Sequence, residues 1–197
     1  MKASAVILAG GRSSRMGTNK ALLEVNGKAL IAIQVEELSH RFSEVIIVSN
    51  QPWLYANLKA TVITDQYPGL GPLAGIHAGL KAAANEVIFL VPCDMPFISA
   101  AVGTQLLSRL GGADGLILER DGKLEPLYGL YTKRCLPVIE EFLRAKRLKV
   151  IDFYPRLNIQ TLPAASLHLT CAVETALFNI NTPQDFQQAK ALSGRLV

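Results

Sequence analysis

Ala5-Val6-Ile7-Leu8-Ala9-Gly10-Gly11-Arg12-Ser13-Ser14-Arg15-Met16-Gly17-Thr18-Asn19-Lys20 decides how the rest of the chain reads. Five consecutive apolar residues, Ala5 to Ala9, are too few for a helix to bury alone, but they suit a strand covered on both faces of a parallel sheet. Gly10 and Gly11 follow, and without Cβ atoms they let the backbone turn sharply and bring its N–H groups against a ligand. Arg15 and Lys20 set fixed positive charge at the far end of the loop, the guanidinium suited to bidentate phosphate contact and the ammonium to a point contact. Strand, glycine turn and two cations in this order point to a nucleotide as ligand. The spacing is neither that of the P-loop, G-x-x-x-x-G-K-[ST], nor that of the G-x-G-x-x-G dinucleotide fingerprint.

Downstream, Leu22, Leu23 and Val25 predict a strand leading into an Asn26-Gly27 turn, and Ile31, Val35, Leu38 and Phe42 recur at helical spacing. Further buried strands are predicted over residues 44–50, 61–65 and, most clearly, 86–91, with helical stretches between them. Strand and helix in alternation call for right-handed crossovers and an α/β fold with a mostly parallel, doubly wound, Rossmann-like sheet. One domain over residues 1–197 is expected. Such sheets bind ligands beyond the carboxyl ends of their strands, and Gly10, Asn50, Asp65 and Asp94 all fall there. In the second half, residues 113–118 and 125–131 read as strands joined through Asp121-Gly122, and Leu136, Ile139, Phe142 and Leu143 mark a helix. The basic run Arg144, Lys146, Arg147 and Lys149 suits either an anionic second substrate or a solvated face. Residues 153–173 are ambiguous. Thr182, Pro183 and Asp185 form a capping-box variant that opens a last helix.

The chain has 197 residues, 50% hydrophobic and 18% charged, which argues for a sizeable core and against disorder. A net charge of +4 is a mild imbalance. Cys93, Cys135 and Cys171 are odd in number, widely spaced and without C-x-x-C pairing, so neither a disulfide framework nor a zinc site is expected. His40, His77 and His168 lack metal spacing and read as structural. With no basic-then-apolar leader and no run of about 18 apolar residues, a cytoplasmic location is expected.

Two further stretches carry chemistry. Pro92-Cys93-Asp94-Met95-Pro96 puts a carboxylate at the tip of the most apolar strand, where a divalent metal is its natural partner and Mg²⁺ the suitable one. Cys93 has no evident base beside it. Gly69-Leu70-Gly71-Pro72-Leu73-Ala74-Gly75-Ile76 is a glycine-rich loop entering a helix whose free N–H groups suit an anion.

The opening stretch resembles, nearly residue for residue, the L-A-G-G-x-S-x-R-M-G-x-x-K signature of the molybdenum cofactor guanylyltransferases, relatives of the sugar-phosphate nucleotidyltransferases. Residues 92–96 look like that family's metal-binding P-C-D-x-P, and residues 179–183 look like its N-x-N-T-P segment. The G-P-L-A-G-I core at 71–76 looks like the segment that accompanies its guanine-specific site. The resemblance implies a nucleotidyltransferase fold that moves GMP from GTP to molybdopterin carrying molybdenum, with Mg²⁺ as cofactor. It implies GTP contacts at Leu8, Ala9, Gly10, Gly11, Lys20, Asn50, Asp65 and Asp94, and catalytic roles for Arg15, Lys20 and Asp94. It places the metal at Asp94 and Asn181, with Asn179 a lesser candidate. It extends the partners to cofactor-maturation proteins, and to neither nucleic acid nor membrane. A cytidylyltransferase of the same cofactor, or another small nucleotidyltransferase acting on a phosphorylated alcohol, is the nearest alternative. A non-catalytic nucleotide sensor is the alternative of another class. Gly11 and G-P-L-A-G-I favour guanine; Lys20 and Asp94 favour catalysis. The chain departs from the family at Asn19, where aspartate is common, and at Glu125 and Gly129 around the commoner P-L-x-A-x-Y.

Overall fold

The computed structural model describes residues 2–10, 19–169 and 172–194; Gly11, Arg15 and Cys171, singled out above, lie outside the described residues. The uninterrupted run of apolar and small residues at the start forms β1 (Ala3–Leu8), buried along its whole length. A 3₁₀ turn (Lys20–Leu22) and a two-residue hairpin, β2 (Glu24–Val25) and β3 (Lys28–Ala29), lead into α1 (Leu30–Ser39). Then come β4 (Val45–Val48), a 3₁₀ turn (Pro52–Tyr55), β5 (Thr61–Ile63), α2 (Pro72–Ala82), β6 (Val87–Pro92) and α3 (Ala100–Arg109). The hairpin β7 (Gly115–Arg120) and β8 (Lys123–Thr132) is followed by α4 (Leu136–Arg144), β9 (Ile159–Pro163), the short α5 (Val173–Ala176) and α6 (Pro183–Ser193).

Strand order is β5-β4-β1-β6-β8-β7-β9, with β1 flanked in parallel by β4 and β6. Among the described residues only β8 runs against its neighbours in this sheet. Both faces are covered, and the period-2 alternation along each strand decides which residue meets which helices. Ala5, Ile7, Ile47, Phe89 and Val91 pack with Ile31, Val35 and Leu38 of α1 and Val102 and Leu106 of α3. Val6, Leu8, Ile46, Val48, Ile88 and Leu90 pack with Leu73, Ile76 and Leu80 of α2 and Ile139 and Phe142 of α4. The sheet is therefore doubly wound and mostly parallel, as the alternating pattern predicts.

One expectation changes, and the ambiguous stretch takes shape. Residues 22–25 do not form a strand of ordinary length: a capped 3₁₀ turn takes up Leu22, and the β2–β3 ladder holds only two residue pairs before α1 begins. Its turn is as read, with φ of 52° at Asn26 and 73° at Gly27, the positive pair a tight hairpin requires. The ambiguous 153–173 contains β9, an edge strand in parallel register with β7.

Helix α2 lies unusually close to β1. A Cβ at Gly79 would stand 2.7 Å from Val6 Cγ1, and one at Gly75 would stand 2.8 Å from Leu8 Cδ2. Val6 is fully buried and branched at Cβ, so it has little room to turn aside. Gly79→Ala is expected to lower the unfolding free energy by about 1–2 kcal/mol, because overpacking outweighs the roughly 1 kcal/mol gained in helix propensity. Urea unfolding checks this, and an unchanged or higher midpoint would mean the helix does not sit this close.

Candidate active site

Gly10, Asn50, Asp65 and Asp94 each stand two residues beyond the end of their strands, β1, β4, β5 and β6. These four strands are adjacent and parallel, so the residues form a row across one sheet edge in the order Asp65, Asn50, Gly10, Asp94. At about 4.8 Å per strand the row spans roughly 14 Å. It borders a cleft also lined by Leu8, Ala9, Lys20, Gly71, Cys93 and Leu127.

One end of the row is charged. Lys20 Nζ lies 3.3 Å from Asp94 Oδ2 and donates to Asn181 Oδ1 at 3.0 Å, bringing together three segments far apart in sequence. Each is held by its own backbone. Lys20 opens a 3₁₀ turn capped by Asn19, whose Oδ1 accepts from Ala21 N. Asp94 sits in a turn after β6, and the Asp94 carbonyl accepts from Ile180 N at 2.8 Å. Asn181 precedes the capping box of α6, where Asp185 Oδ2 accepts from the N–H groups of both Asn181 and Thr182 at 2.8 Å. At the other end of the row Asn50 Nδ2 donates to Asp65 Oδ2 at 2.7 Å, and Asp65 Oδ1 accepts from Tyr67 N.

Asp94 and Asn181 present two oxygen donors to one cationic atom, so a cation's place between them is already occupied by an ammonium. No trio of His, Cys, Asp or Glu clusters as a metal cage among the described residues. One carboxylate and one amide oxygen are nonetheless a fitting donor set for Mg²⁺, which completes its shell with water and phosphate oxygens. Burial, then the neighbouring Asp94 charge, push the Cys93 thiol up to about 12, which disfavours the thiolate a nucleophile would need.

Two contributors, Gln34 and Tyr55, were missed from the sequence, and a third, Asn19, was read there only as a departure from the family pattern. Gln34 is fully buried and spends both amide hydrogens on the turn that carries Asp94, donating to Pro92 O at 2.9 Å and Met95 O at 2.8 Å. Its signal was present: a polar residue on the apolar face of α1, between Ile31 and Leu38. Asn19 donates through Nδ2 to Tyr55 OH at 3.0 Å, and that hydroxyl reaches Ala9 O at 3.5 Å. Tyr55 itself had no local signal. Other positions stay outside. His77 is buried between Tyr67 and Glu140, with Nε2 3.0 Å from Glu140 Oε1. None of the basic run lines the cleft; Arg144 pairs with Glu140, and Arg147 lies over the Phe142 ring. Neither Asn179 nor Asn181 lines the cleft itself; Asn181 joins the site through its bond from Lys20 Nζ.

The model of the MobA-like NTP transferase domain matches residues 5–157. A protein of Pelotomaculum thermopropionicum named "Probable molybdenum cofactor guanylyltransferase" is 40% identical over 193 residues, covering 98% of this chain and 94% of its own. The molybdenum cofactor guanylyltransferase of Vibrio cholerae is 32% identical over 190 residues, covering 95% and 91%. Among solved structures, molybdopterin-guanine dinucleotide biosynthesis protein A from Archaeoglobus fulgidus superposes with a TM-score of 0.87 at 28% identity, covering 98% and 99%. A CMP:2-keto-3-deoxy-manno-octonic acid synthetase complexed with CTP shares the fold, with a TM-score of 0.76 at 15% identity over the whole of both chains.

The two N–H donors of Asn181 and Thr182 hold the Asp185 carboxyl below its ordinary value. A depressed folded value stabilises above the unfolded value of about 3.9, and the contribution is lost as pH falls through the folded value. Asp185→Ala should therefore cost about 1 kcal/mol or less at pH 7, the range for an exposed cap screened by water. Urea midpoints of parent and variant should converge as pH drops below about 4. A gap that persists at pH 2 would show that the loss is not the carboxylate's.

Proposed function

The chain belongs to the MobA-like NTP transferase family, and we propose that it transfers GMP from GTP to molybdopterin carrying molybdenum, releasing pyrophosphate and the guanine dinucleotide form of the cofactor. The meeting of Lys20, Asp94 and Asn181 at one end of the strand-end row is the observation that carries the mechanism. The triphosphate lies toward this charged end, with Leu8, Ala9 and Gly10 along its path, and the nucleoside lies toward Asn50 and Asp65. Lys20 turns from the Asp94 carboxylate to phosphate oxygens and offsets their charge; Gly11 and Arg15 are further phosphate contacts in this reading. Asp94, with Asn181 in support, would hold Mg²⁺, which when bound would supply charge neutralisation at the α-phosphate and the leaving pyrophosphate.

The pterin's terminal phosphate attacks the α-phosphorus in line. One P–O bond forms as the bond to the β-phosphate oxygen breaks, and pyrophosphate leaves with the bonding pair. No protein nucleophile takes part, which agrees with a Cys93 thiol kept neutral. Catalysis rests on positioning and charge complementarity. The fold is shared with a structure complexed with CTP and so does not choose the base; the guanylyltransferase relatives favour guanine. The reading takes residues 1–197 as one domain working in the cytoplasm, with cofactor-maturation proteins as further partners. Among the described residues no helix is long and apolar enough to cross a membrane.

Asp94→Ala should lose on the order of 10³ or more in turnover, with smaller loss of GTP binding. Pyrophosphate release within about tenfold of the parent at saturating Mg²⁺, from a variant folded by circular dichroism, would put the metal elsewhere. Lys20→Ala should weaken GTP binding by calorimetry with the fold intact. Turnover with CTP should fall about 100-fold or more below GTP, since a site built for one base edge leaves polar groups unpaired on another; equal turnover would remove the guanine assignment.

A further inference from the structure

We propose that Trp53 stacks on the guanine ring of the bound nucleotide and closes the outer end of the cleft. The inference deepens the guanylyltransferase reading and rests on it. Trp53 is the chain's single tryptophan, 67% exposed, and it lines the cleft together with Asn50, Gln51 and Asp65. An isolated aromatic on a surface is ordinary. This one is presented by an anchored turn. Pro52 at the turn's first position fixes its φ, and Leu54 N donates to Gln51 O at 3.1 Å. Tyr55, two residues on, is wholly buried and tied to Asn19. The turn is thus fastened on its inner side while its indole stays outside, with no ring or hydrogen-bond partner among the described residues.

Its place in the row selects its partner. Lys20 and Asp94 draw the phosphates to the β1–β6 end, which leaves the nucleoside to the β4–β5 end, where Asn50 and Asp65 offer polar contacts to its edges. Those groups orient a flat ring but give no apolar face, and Trp53, three residues beyond Asn50, supplies one. Stacking of an aromatic side chain on a base is tolerant of base identity. Trp53 therefore contributes affinity, and hydrogen bonding at the base edge is left to set selectivity.

A lone tryptophan makes the test direct. With Mg²⁺ present, GTP should quench the intrinsic emission saturably, with the dissociation constant found by calorimetry, and inorganic triphosphate should not quench. Trp53→Ala should bind GTP on the order of tenfold more weakly, the loss falling on KM for GTP more than on kcat, and Trp53→Phe should recover most of it. GTP binding by calorimetry without an emission change, equal quenching by triphosphate, or a Trp53→Ala affinity within twofold of the parent would overturn the stacking while leaving the guanylyltransferase reading in place. Quenching by a pterin but not by GTP would overturn it as well. No GTP binding by the parent chain would overturn both.

Discussion

Lys20 Nζ, between Asp94 Oδ2 at 3.3 Å and Asn181 Oδ1 at 3.0 Å, joins segments 74 and 161 residues away. Its side chain and that of Asp94 are 18% and 25% exposed. An ion pair this near water contributes on the order of 1 kcal/mol or less, too little to gather three distant segments. The segments must be placed by other means, and they are. Parallel register between β1 and β6 pairs Leu8 with Pro92, which sets Asp94 beside Gly10. The bond from Ile180 N to Asp94 O sets Asn181, and the Asn19 cap sets Lys20. The contact is thus an outcome of the fold, so that in the proposed mechanism phosphate oxygens replace the carboxylate at Lys20 without loosening the framework.

The same economy shows in the glycines of α2. The glycine-rich loop at 69–76 reads from sequence as an anion-receiving helix entrance, and Gly71, with φ of 73° before Pro72, does border the cleft. Gly75 has a second reason to be glycine: it faces Leu8 at a distance where a Cβ would clash. With Gly79 it forms a side-chain-free stripe that draws the helix onto β1. The close seating leaves Leu8 as cleft floor and brings the helix entrance to the sheet edge.

How much of this was legible depended on whether the cause was local. The apolar run of β1, the positive-φ turns at Asn26-Gly27 and Asp121-Gly122, and the Thr182–Asp185 cap are short-range devices, and each appears where its residues predict. The places of Asp94, Asn50 and Asp65 just past strand ends were legible because the strands were. β9 was not: its residues are half-exposed or exposed, and only pairing with β7 makes them a strand. Gln34 and Tyr55 act across 58 and 46 residues, on Pro92 O and Ala9 O, through contacts no local pattern encodes.

Asn19 shows why a departure from a family pattern has to be read through its hydrogen bonds. In place of the family's common aspartate it removes a negative charge beside Lys20, and that charge was all its sequence position could speak to. In the folded chain its side chain works in two directions: Oδ1 accepts from Ala21 N at 3.1 Å, and Nδ2 donates to Tyr55 OH at 3.0 Å. A carboxylate only accepts, so it would keep the cap but claim the tyrosine hydrogen for itself. With the amide donating, that hydrogen is left for Ala9 O, just before Gly10. The neutral side chain therefore links Lys20's turn to the end of β1, and Lys20 is left with Asp94 as the carboxylate it neutralises.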